Sequence, residues 1–147
     1  MENTIQIFNQ KAAFLPLLLL ADPDEAMINR YLGRSDLFVS ESDGVPICVS
    51  AVLPLDRTSC ELKNLAVEER FQCQGIGSRM IRFLLSFYAA RYKKMYVGTS
   101  EGNFSFYQKN GFRYSHVINN FFTENYPEPI VENGIILTDM TYFVRSL

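Results

Sequence analysis

The spacing of apolar and polar residues along the chain predicts a mixed series of strands and helices. Alternating or continuous apolar runs predict strands at residues 4–8, 36–41, 45–53, 60–67, 94–99, 113–123 and 135–144. Apolar residues at helical spacing predict helices at residues 11–20, 23–32, 78–91 and 103–110. The order β–α–α–β–β–β–α–β–α–β–β indicates an α/β or α+β fold in a single domain, residues 1–147.

Proline, glycine and turn-forming residues set the predicted boundaries. Pro16 must either delay the first helix or kink it, and Pro23 follows Asp22 as an N1 proline follows an N-cap. The Ser-Asp-Gly sequence at residues 42–44 indicates a hairpin turn. Residues 124–134 are rich in Pro, Glu and Asn, so they predict a loop between the last two strands.

The composition narrows the class of protein. The 147 residues include 12 Phe and 8 Tyr, which favours a packed core over disorder. The net charge is −2 and there is no basic run, so we expect no nucleic-acid partner. The apolar stretch 14–21 is far shorter than the ~20 residues of a membrane span, and the N-terminus lacks the basic flank of a signal peptide. We therefore expect a cytoplasmic protein that does not contact a membrane.

Neither the cysteines nor the histidine indicates a metal site. Cys48, Cys60 and Cys73 form no Cys-x-x-Cys pair, and the first two fall in predicted strands, where we expect core positions. His116 is the only histidine and has no second His or Cys at ligand spacing. We expect no metal, and we interpret His116 as a structural or surface residue.

The stretch 72–77, Gln-Cys-Gln-Gly-Ile-Gly, lies between the predicted strand 60–67 and the next helix. The N–H groups of a first helical turn have no partner within the helix, and glycines let an anion approach them closely. We interpret residues 72–78 as a pyrophosphate cradle, with a tight turn that binds nothing as the alternative. A P-loop would need Lys-Ser/Thr after Gly77, and a dinucleotide fingerprint would need glycine in place of Met80.

Two motifs stand in this part of the chain. The first is Gln/Arg-x-x-Gly-x-Gly/Ala, carried by Gln72, Gly75 and Gly77, and the second is the segment 106–112, Phe-Tyr-Gln-Lys-Asn-Gly-Phe. In kind and order they resemble the motifs of the GNAT superfamily of N-acetyltransferases, and the resemblance covers residues 60–112. It implies the GNAT fold, a mixed twisted sheet of about 6–7 strands flanked by about 4 helices, and an acetyl-CoA-dependent N-acetyltransferase.

The resemblance implies that acetyl-CoA binds mainly to backbone groups. Its pyrophosphate would lie on the N–H groups of the cradle, and its pantetheine arm would pair with the strand edge around Leu65 and Val67. A backbone amide at the same place would polarise the thioester carbonyl, and a β-bulge would open the edge. The implied cofactor-binding residues are Leu65, Ala66, Val67, Gln72, Cys73, Gln74, Gly75, Ile76, Gly77, Ser78, Ser100, Asn103 and Lys109.

Three of these residues also have other interpretations. Ser100 stands where the family often has an Asn that touches the cofactor, so it departs from the family pattern. Asn103 is also the predicted N-cap of the short helix at 103–110. Lys109 could approach the CoA phosphates or could be a solvated surface lysine.

Tyr107 and Glu61 are the candidate catalytic residues. The resemblance implies that Tyr107 protonates the departing CoA thiolate or hydrogen-bonds to its sulfur, and a phenol of pKa ~10 is a competent donor. The alternative is that Tyr107 only packs the short helix. Glu61 lies six residues before Val67, where part of the family has a glutamate that deprotonates the amine through a water. Lys63 has the same strand parity, so Glu61 could instead be its neutralised partner.

The acceptor is expected to be a primary amine of a small molecule. In this fold the N-terminal helices and the loop before the last strand cover the acceptor site, and their carboxylates would favour a cationic amine. The charged and aromatic residues there are Asp22, Asp24, Glu25, Phe121, Phe122, Glu124, Tyr126, Glu128 and Glu132. The alternatives are a non-catalytic acyl-CoA-binding sensor and an acetyltransferase of protein or peptide amines. The chain could also pair with a second copy of itself in a homodimer.

Overall fold

The structure, a computed structural model, describes residues 2–147 and is built on one large sheet. The strands of the described chain are β1 (Glu2–Ile7), β2 (Asp36–Ser42), β3 (Val45–Pro54), β4 (Ser59–Val67), β5 (Lys94–Thr99), β6 (Arg113–Ile118), β7 (Val131–Glu132), β8 (Ile135–Ile136) and β9 (Met140–Ser146). Its α-helices are α1 (Leu15–Ala21), α2 (Glu25–Asn29), α3 (Ile76–Tyr88), α4 (Phe104–Lys109) and α5 (Phe121–Asn125). Short 3₁₀ helices occupy Lys11–Phe14, Leu32–Arg34, Glu69–Phe71 and Glu101–Asn103.

Seven strands form the sheet, in the order β1-β2-β3-β4-β5-β9-β6. Neighbouring strands are antiparallel except β4 and β5, which are parallel. The chain returns after β6 and inserts β9 between β5 and β6, while β7 and β8 form a separate hairpin. The predicted fold class, a mixed sheet with helices, is confirmed, with five α-helices in residues 2–147 where about four were expected.

Each face of the sheet has its own apolar core. On one face, α3 buries Met80, Leu84 and Tyr88 in a cluster with side chains of β3, β4 and β5. On the other face, α1 and α2 bury Leu18 and Ile28 with side chains of β2 and β3. Burying one such aliphatic side chain contributes about 1.5–3 kcal/mol. Since both faces of β4 are covered, its conformation is held by packing from two sides.

β4 contains a bulge near its middle. On β3, Ala51 pairs with Asn64 but the next residue, Val52, pairs with Leu62, so Lys63 is an extra residue. Leu62 before the bulge and Leu65 after it belong to the core under α3. The extra residue therefore changes the parity of the strand.

The bulge coincides with the place where β4 leaves β5. The two strands pair only over residues 59–62 of β4 and 94–97 of β5, although both continue beyond that point. From Asn64 to Val67, β4 keeps its partner β3 on one side and has a free edge on the other. This is the opened edge that the predicted cofactor arm requires.

The strand predicted at residues 113–123 is wrong in its second half. β6 ends at Ile118, and Asn120 takes a φ of 57°, in the left-handed region that asparagine tolerates better than most residues. The backbone N–H of Asn120 donates to Asp139 Oδ1 (2.8 Å), and α5 begins at the next residue.

The strand predicted at residues 135–144 is also wrong, because β9 begins only at Met140. Residues 135–136 pair instead with residues 131–132 as the β7–β8 hairpin. Asn133 and Gly134 connect them with φ values of 52° and 77°, the signature of a type I′ turn.

The helix boundaries differ by a few residues from the predicted ones. Pro16 lies in the first turn of α1, so it delays the helix and does not kink it. Asp24, not Asp22, caps α2, since its Oδ1 accepts a hydrogen bond from the N–H of Met27 (3.1 Å). α3 begins at Ile76, two residues before the predicted start. Within residues 2–147, no helix has both the length and the apolar character to cross a bilayer.

Candidate active site

The cradle, residues 72–78, joins a tight turn to the N-terminus of α3. Cys73 and Gly75 have φ values of 61° and 81°, which turn the chain sharply before Ile76. The N–H of Arg79 bonds to the carbonyl of Gly75 (3.0 Å), four residues back. The N–H groups that precede it in α3 have no such helical partner, and the first turn of this helix carries no acidic side chain. This end of α3 is therefore suited to an anion.

Side chains around the cradle hold its backbone in place. Gln72 Nε2 donates to the carbonyl oxygen of Val67 (3.0 Å), which ties the cradle to the end of β4. Gly77 packs against Phe106 of α4, and a Cβ at position 77 would lie 3.2 Å from Phe106 Cζ. A larger side chain at position 77 would separate α3 from α4. The glycine thus serves helix packing as well as the approach of an anion.

The cradle opens into a cleft of about 760 Å³ between β4 and β5, where the two strands diverge. Such a volume lies in the ~300–1,000 Å³ range of small-molecule sites. The predicted cofactor-binding residues on its wall are Leu65, Ala66, Val67, Gln72, Cys73, Gly75, Ile76, Gly77, Ser78, Ser100, Asn103 and Lys109. Gln74 is not on the wall, and its Nε2 donates to the carbonyl of Arg70 (3.3 Å).

Tyr107 of α4 lines the same cleft and is 8% exposed. Its ring packs edge-on against Phe106 and Phe112. Among residues 2–147, its hydroxyl has no hydrogen-bond partner. Burial raises the pKa of Tyr107, so the phenol stays protonated at neutral pH. The ring serves packing while the hydroxyl remains available to a ligand.

Glu61 lies close to the cleft but not on its wall, and it is 8% exposed. Its Oε2 accepts a hydrogen bond from the Tyr142 hydroxyl (3.1 Å) and lies 3.3 Å from Lys63 Nζ. Lys63 does line the cleft, and its Nζ lies 5.4 Å from the centre of the Tyr31 ring. The lysine partner anticipated from strand parity is therefore present, and it connects Glu61 to the cleft.

The three residues with alternative interpretations lie around α4. Ser100 Oγ donates to Glu132 Oε1 (2.5 Å) and thereby ties the β7–β8 hairpin to the end of β5. Asn103 precedes α4, but its side chain makes no capping hydrogen bond. Lys109 Nζ lies 5.9 Å from the centre of the Phe106 ring.

A second group of polar residues surrounds Asp22, which lines the cleft at the α1–α2 connection. Asp22 is 9% exposed, and its Oδ1 accepts hydrogen bonds from the Tyr126 hydroxyl (2.9 Å) and the N–H of Asp24 (3.4 Å). Its Oδ2 accepts from the Tyr31 hydroxyl (3.4 Å), which also receives a hydrogen bond from Asn64 Nδ2 (3.1 Å). Burial raises the pKa of the Asp22 carboxyl, and these hydrogen bonds partly oppose the rise.

The structure places only part of the predicted acceptor set on the cleft wall. The residues on the wall are Asp22, Phe122, Tyr126 and Glu132, and those off it are Asp24, Glu25, Phe121, Glu124 and Glu128. Three further residues on the cleft wall, Asn64, Ile130 and Met140, were not predicted from the sequence. Asn64 was marked only as an amide side chain beside three apolar residues, and no sequence pattern marked the other two.

Comparison with known proteins settles the family. A family model described as an acetyltransferase (GNAT) domain matches residues 33–114, which contain the cradle and Tyr107. This chain belongs to the GNAT acetyltransferase family. A curated relative, the uncharacterized N-acetyltransferase YvbK of Bacillus subtilis (strain 168), is 33% identical over 139 residues, which cover 89% of this chain and 87% of that protein.

Two solved structures of GNAT-fold proteins superpose on nearly the whole chain. A GNAT family acetyltransferase from Elizabethkingia anophelis, with acetyl-CoA bound, is 37% identical with a TM-score of 0.95, over 99% of this chain and 98% of that one. An IAA acetyltransferase from Bacillus cereus ATCC 14579 is 33% identical with a TM-score of 0.92, over 100% of both chains. The protein is therefore a GNAT acetyltransferase, as its two motifs implied, and the first of these structures supports acetyl-CoA as cosubstrate.

Proposed function

We propose that this GNAT acetyltransferase transfers the acetyl group of acetyl-CoA to a primary amine of a small molecule. The observation that carries the proposal is a single cleft that contains the cradle, the free edge of β4 and the hydroxyl of Tyr107. These three features supply an anion site, open backbone hydrogen-bonding groups and a proton donor. The same cleft of about 760 Å³ has to hold the cosubstrate and the acceptor together.

The cofactor-binding residues divide into three groups in this proposal. The pyrophosphate lies on backbone N–H groups of residues 72–78, where the α3 dipole and Arg79 add positive potential. The pantetheine arm pairs with the free edge of β4 at Leu65, Ala66 and Val67, and an N–H there receives the thioester oxygen. The backbone of Ser100, the Asn103 side chain and Lys109 contribute from the α4 side.

The acceptor must lose a proton before it can attack, because an alkylamine of pKa ~10.4 is an ammonium ion at neutral pH. Glu61 accepts this proton through a water, since its carboxylate is not itself on the cleft wall. The amine nitrogen then forms a bond to the thioester carbon, and the resulting oxyanion is stabilised by backbone N–H of β4.

Tyr107 acts when this intermediate collapses. The C–S bond breaks, the nitrogen loses its second proton, and the sulfur takes a proton from the phenol, which then recovers one from solvent. The net reaction converts ammonium ion and acetyl-CoA into amide, CoA thiol and one proton. Because burial raises the pKa of Tyr107, the phenol is present as a donor throughout the neutral pH range.

Release of free thiol from acetyl-CoA, measured over a panel of primary amines, tests the proposal. We expect turnover with at least one small amine and a loss of about 100-fold in kcat for Tyr107→Phe, with the affinity for CoA unchanged. CoA binding without turnover on any amine would indicate a sensor. Turnover on peptides alone would indicate a protein or peptide acetyltransferase.

A further inference from the structure

Asp22 is a buried carboxylate without a counter-ion. Its partners are the hydroxyls of Tyr31 and Tyr126 and the N–H of Asp24, all of them uncharged donors. Within residues 2–147, no Lys, Arg or His side chain lies at ion-pair distance from it. Buried carboxylates are normally paired with a positive charge. Because Asp22 lines the cleft, a cationic ligand could provide that charge.

Asn64 lies on the wall of the same cleft and carries an unpaired acceptor. Its Nδ2 donates both to the carbonyl of Leu18 (3.0 Å) and to the Tyr31 hydroxyl (3.1 Å). A carbonyl can only accept, so this contact sets the orientation of the amide. Asn64 Oδ1 is buried and has no partner in residues 2–147. Through Tyr31, the amide is linked by hydrogen bonds to Asp22.

The rest of this part of the cleft is largely apolar. Its other side chains include Phe122, Ile130 and Met140. The second carboxylate on the wall, Glu132, accepts a hydrogen bond from Ser100 at the end of β5, and Lys63 is paired with Glu61. The body of an amine held by Asp22 would therefore lie against apolar side chains.

We propose that Asp22 and Asn64 form an ammonium-binding socket, and that the acceptor is a primary amine with a compact apolar or aromatic body. An R–NH₃⁺ group has three N–H donors, which suit one carboxylate and one amide oxygen. The proposal rests on the proposed function for the reaction, whereas binding of the amine can be measured without it.

Calorimetric titration of the CoA-bound protein with 2-phenylethylamine tests the socket, since CoA carries no acetyl group and turnover is absent. We expect the amine to bind at least tenfold more tightly than 2-phenylethanol, which lacks the charge. Asp22→Asn should weaken amine binding about 10- to 100-fold and leave the alcohol unchanged.

Two further variants separate the socket from a general effect of substitution. Asp56→Asn removes an exposed carboxylate in the β3–β4 connection, at the other end of β4, and should leave amine binding unchanged. Tyr126→Phe keeps the carboxylate but removes its 2.9 Å donor, and should weaken binding by about threefold. Thermal unfolding and CoA affinity establish that each variant is folded.

Equal binding of the amine to the wild type and Asp22→Asn, or equal binding of amine and alcohol, would overturn the socket. Asp22-dependent binding of the amine without turnover from acetyl-CoA would support the socket while refuting the proposed function.

Discussion

The two halves of the cleft are built in different ways. The half proposed to bind acetyl-CoA, the cofactor half, comes from nearly continuous chain, β4 followed by the cradle, and it offers mainly backbone N–H and C=O groups. The half proposed to bind the amine, the acceptor half, is made of side chains from distant segments. Asp22 and Tyr126, for example, are 104 positions apart in the chain yet share a hydrogen bond.

The two halves therefore depend on different properties of the sequence. Backbone groups are the same in every residue, so the cofactor half depends on conformation, which glycines at set intervals make possible. The acceptor half depends on which side chains meet, so substitutions there can change the substrate without disturbing the CoA site. The following predictions test this separation, from the largest expected effect to the smallest.

Gly77→Val should disable the cofactor half. Its Cβ would lie 3.2 Å from Phe106 Cζ, so the branched side chain would displace α3 from α4 and disturb the cradle. We expect a rise of about 100-fold in the Kd for CoA, measured by calorimetry. Gly33→Val is the matched control, because nothing lies within 4 Å of a Cβ at position 33. An unchanged Kd for the variant at position 77 would contradict the role given to this helix contact.

Glu61→Gln should reduce catalysis without affecting CoA binding. If the carboxylate accepts the ammonium proton, kcat/KM should fall about tenfold or more at pH 7 and much less at pH 9.5, where more amine is already deprotonated. The measurement is the pH dependence of kcat/KM for the amine. Tyr142→Phe is the control, because it removes the 3.1 Å hydrogen bond to Glu61 but keeps the carboxylate. An equal loss at both pH values would indicate a purely structural role.

Ser100→Ala tests the junction between the halves. The Ser100 hydroxyl is already bonded to Glu132, so its loss should release the β7–β8 hairpin and leave the CoA site intact. We expect a roughly threefold rise in KM for the amine and faster hydrogen exchange in residues 130–137. Ser115→Ala, on β6, is the matched control. A weaker affinity for CoA would instead show that this hydroxyl touches the cofactor.

Asp22→Asn should change how stability depends on pH. Burial raises the pKa of Asp22 in the folded protein, so the ionised group opposes folding. This opposition is absent below its ordinary pKa of 3.8 and complete above its folded pKa. The wild type should therefore gain stability relative to the variant as pH falls from 7 toward 4, as measured by urea unfolding.

The comparison of the wild type with Asp56→Asn should show the opposite dependence of stability on pH. Hydrogen bonds from the Thr58 and Ser59 groups lower the pKa of Asp56, so the wild type should lose stability relative to this variant as the pH falls. The same trend in both variants would mean that a shared denatured-state effect, and not burial of Asp22, controls the difference.

The features that could be predicted are those encoded by residues close together in the sequence. The glycines and the helix of the cradle lie within eight residues of chain, and Tyr107 is identified by its neighbours. Asn133-Gly134 also carried a hairpin signal, but the apolar run that follows it favoured one long strand. Asn120 shows the same limit, since a left-handed residue inside a β-rich sequence leaves no periodic trace.

The acceptor half could not be predicted because it depends on the fold. Strand alternation alone would put Asn64 on the face opposite Lys63 and Glu61, and the bulge at Lys63 alters that parity. The Asn64 amide consequently bonds to Leu18 and Tyr31 of the N-terminal region. Likewise, no pattern indicates that Tyr142 would bond to Glu61 across the sheet.

The position of β9 has a consequence for how the protein is made. This strand, Met140–Ser146, lies between β5 and β6, both of which leave the ribosome before it. Until residue 146 has emerged, β6 has no partner in the sheet and β5 lacks one neighbour. The edges that β9 later covers on β5 and β6 therefore stay unpaired until this strand has been made, and unpaired strand edges can associate with other chains.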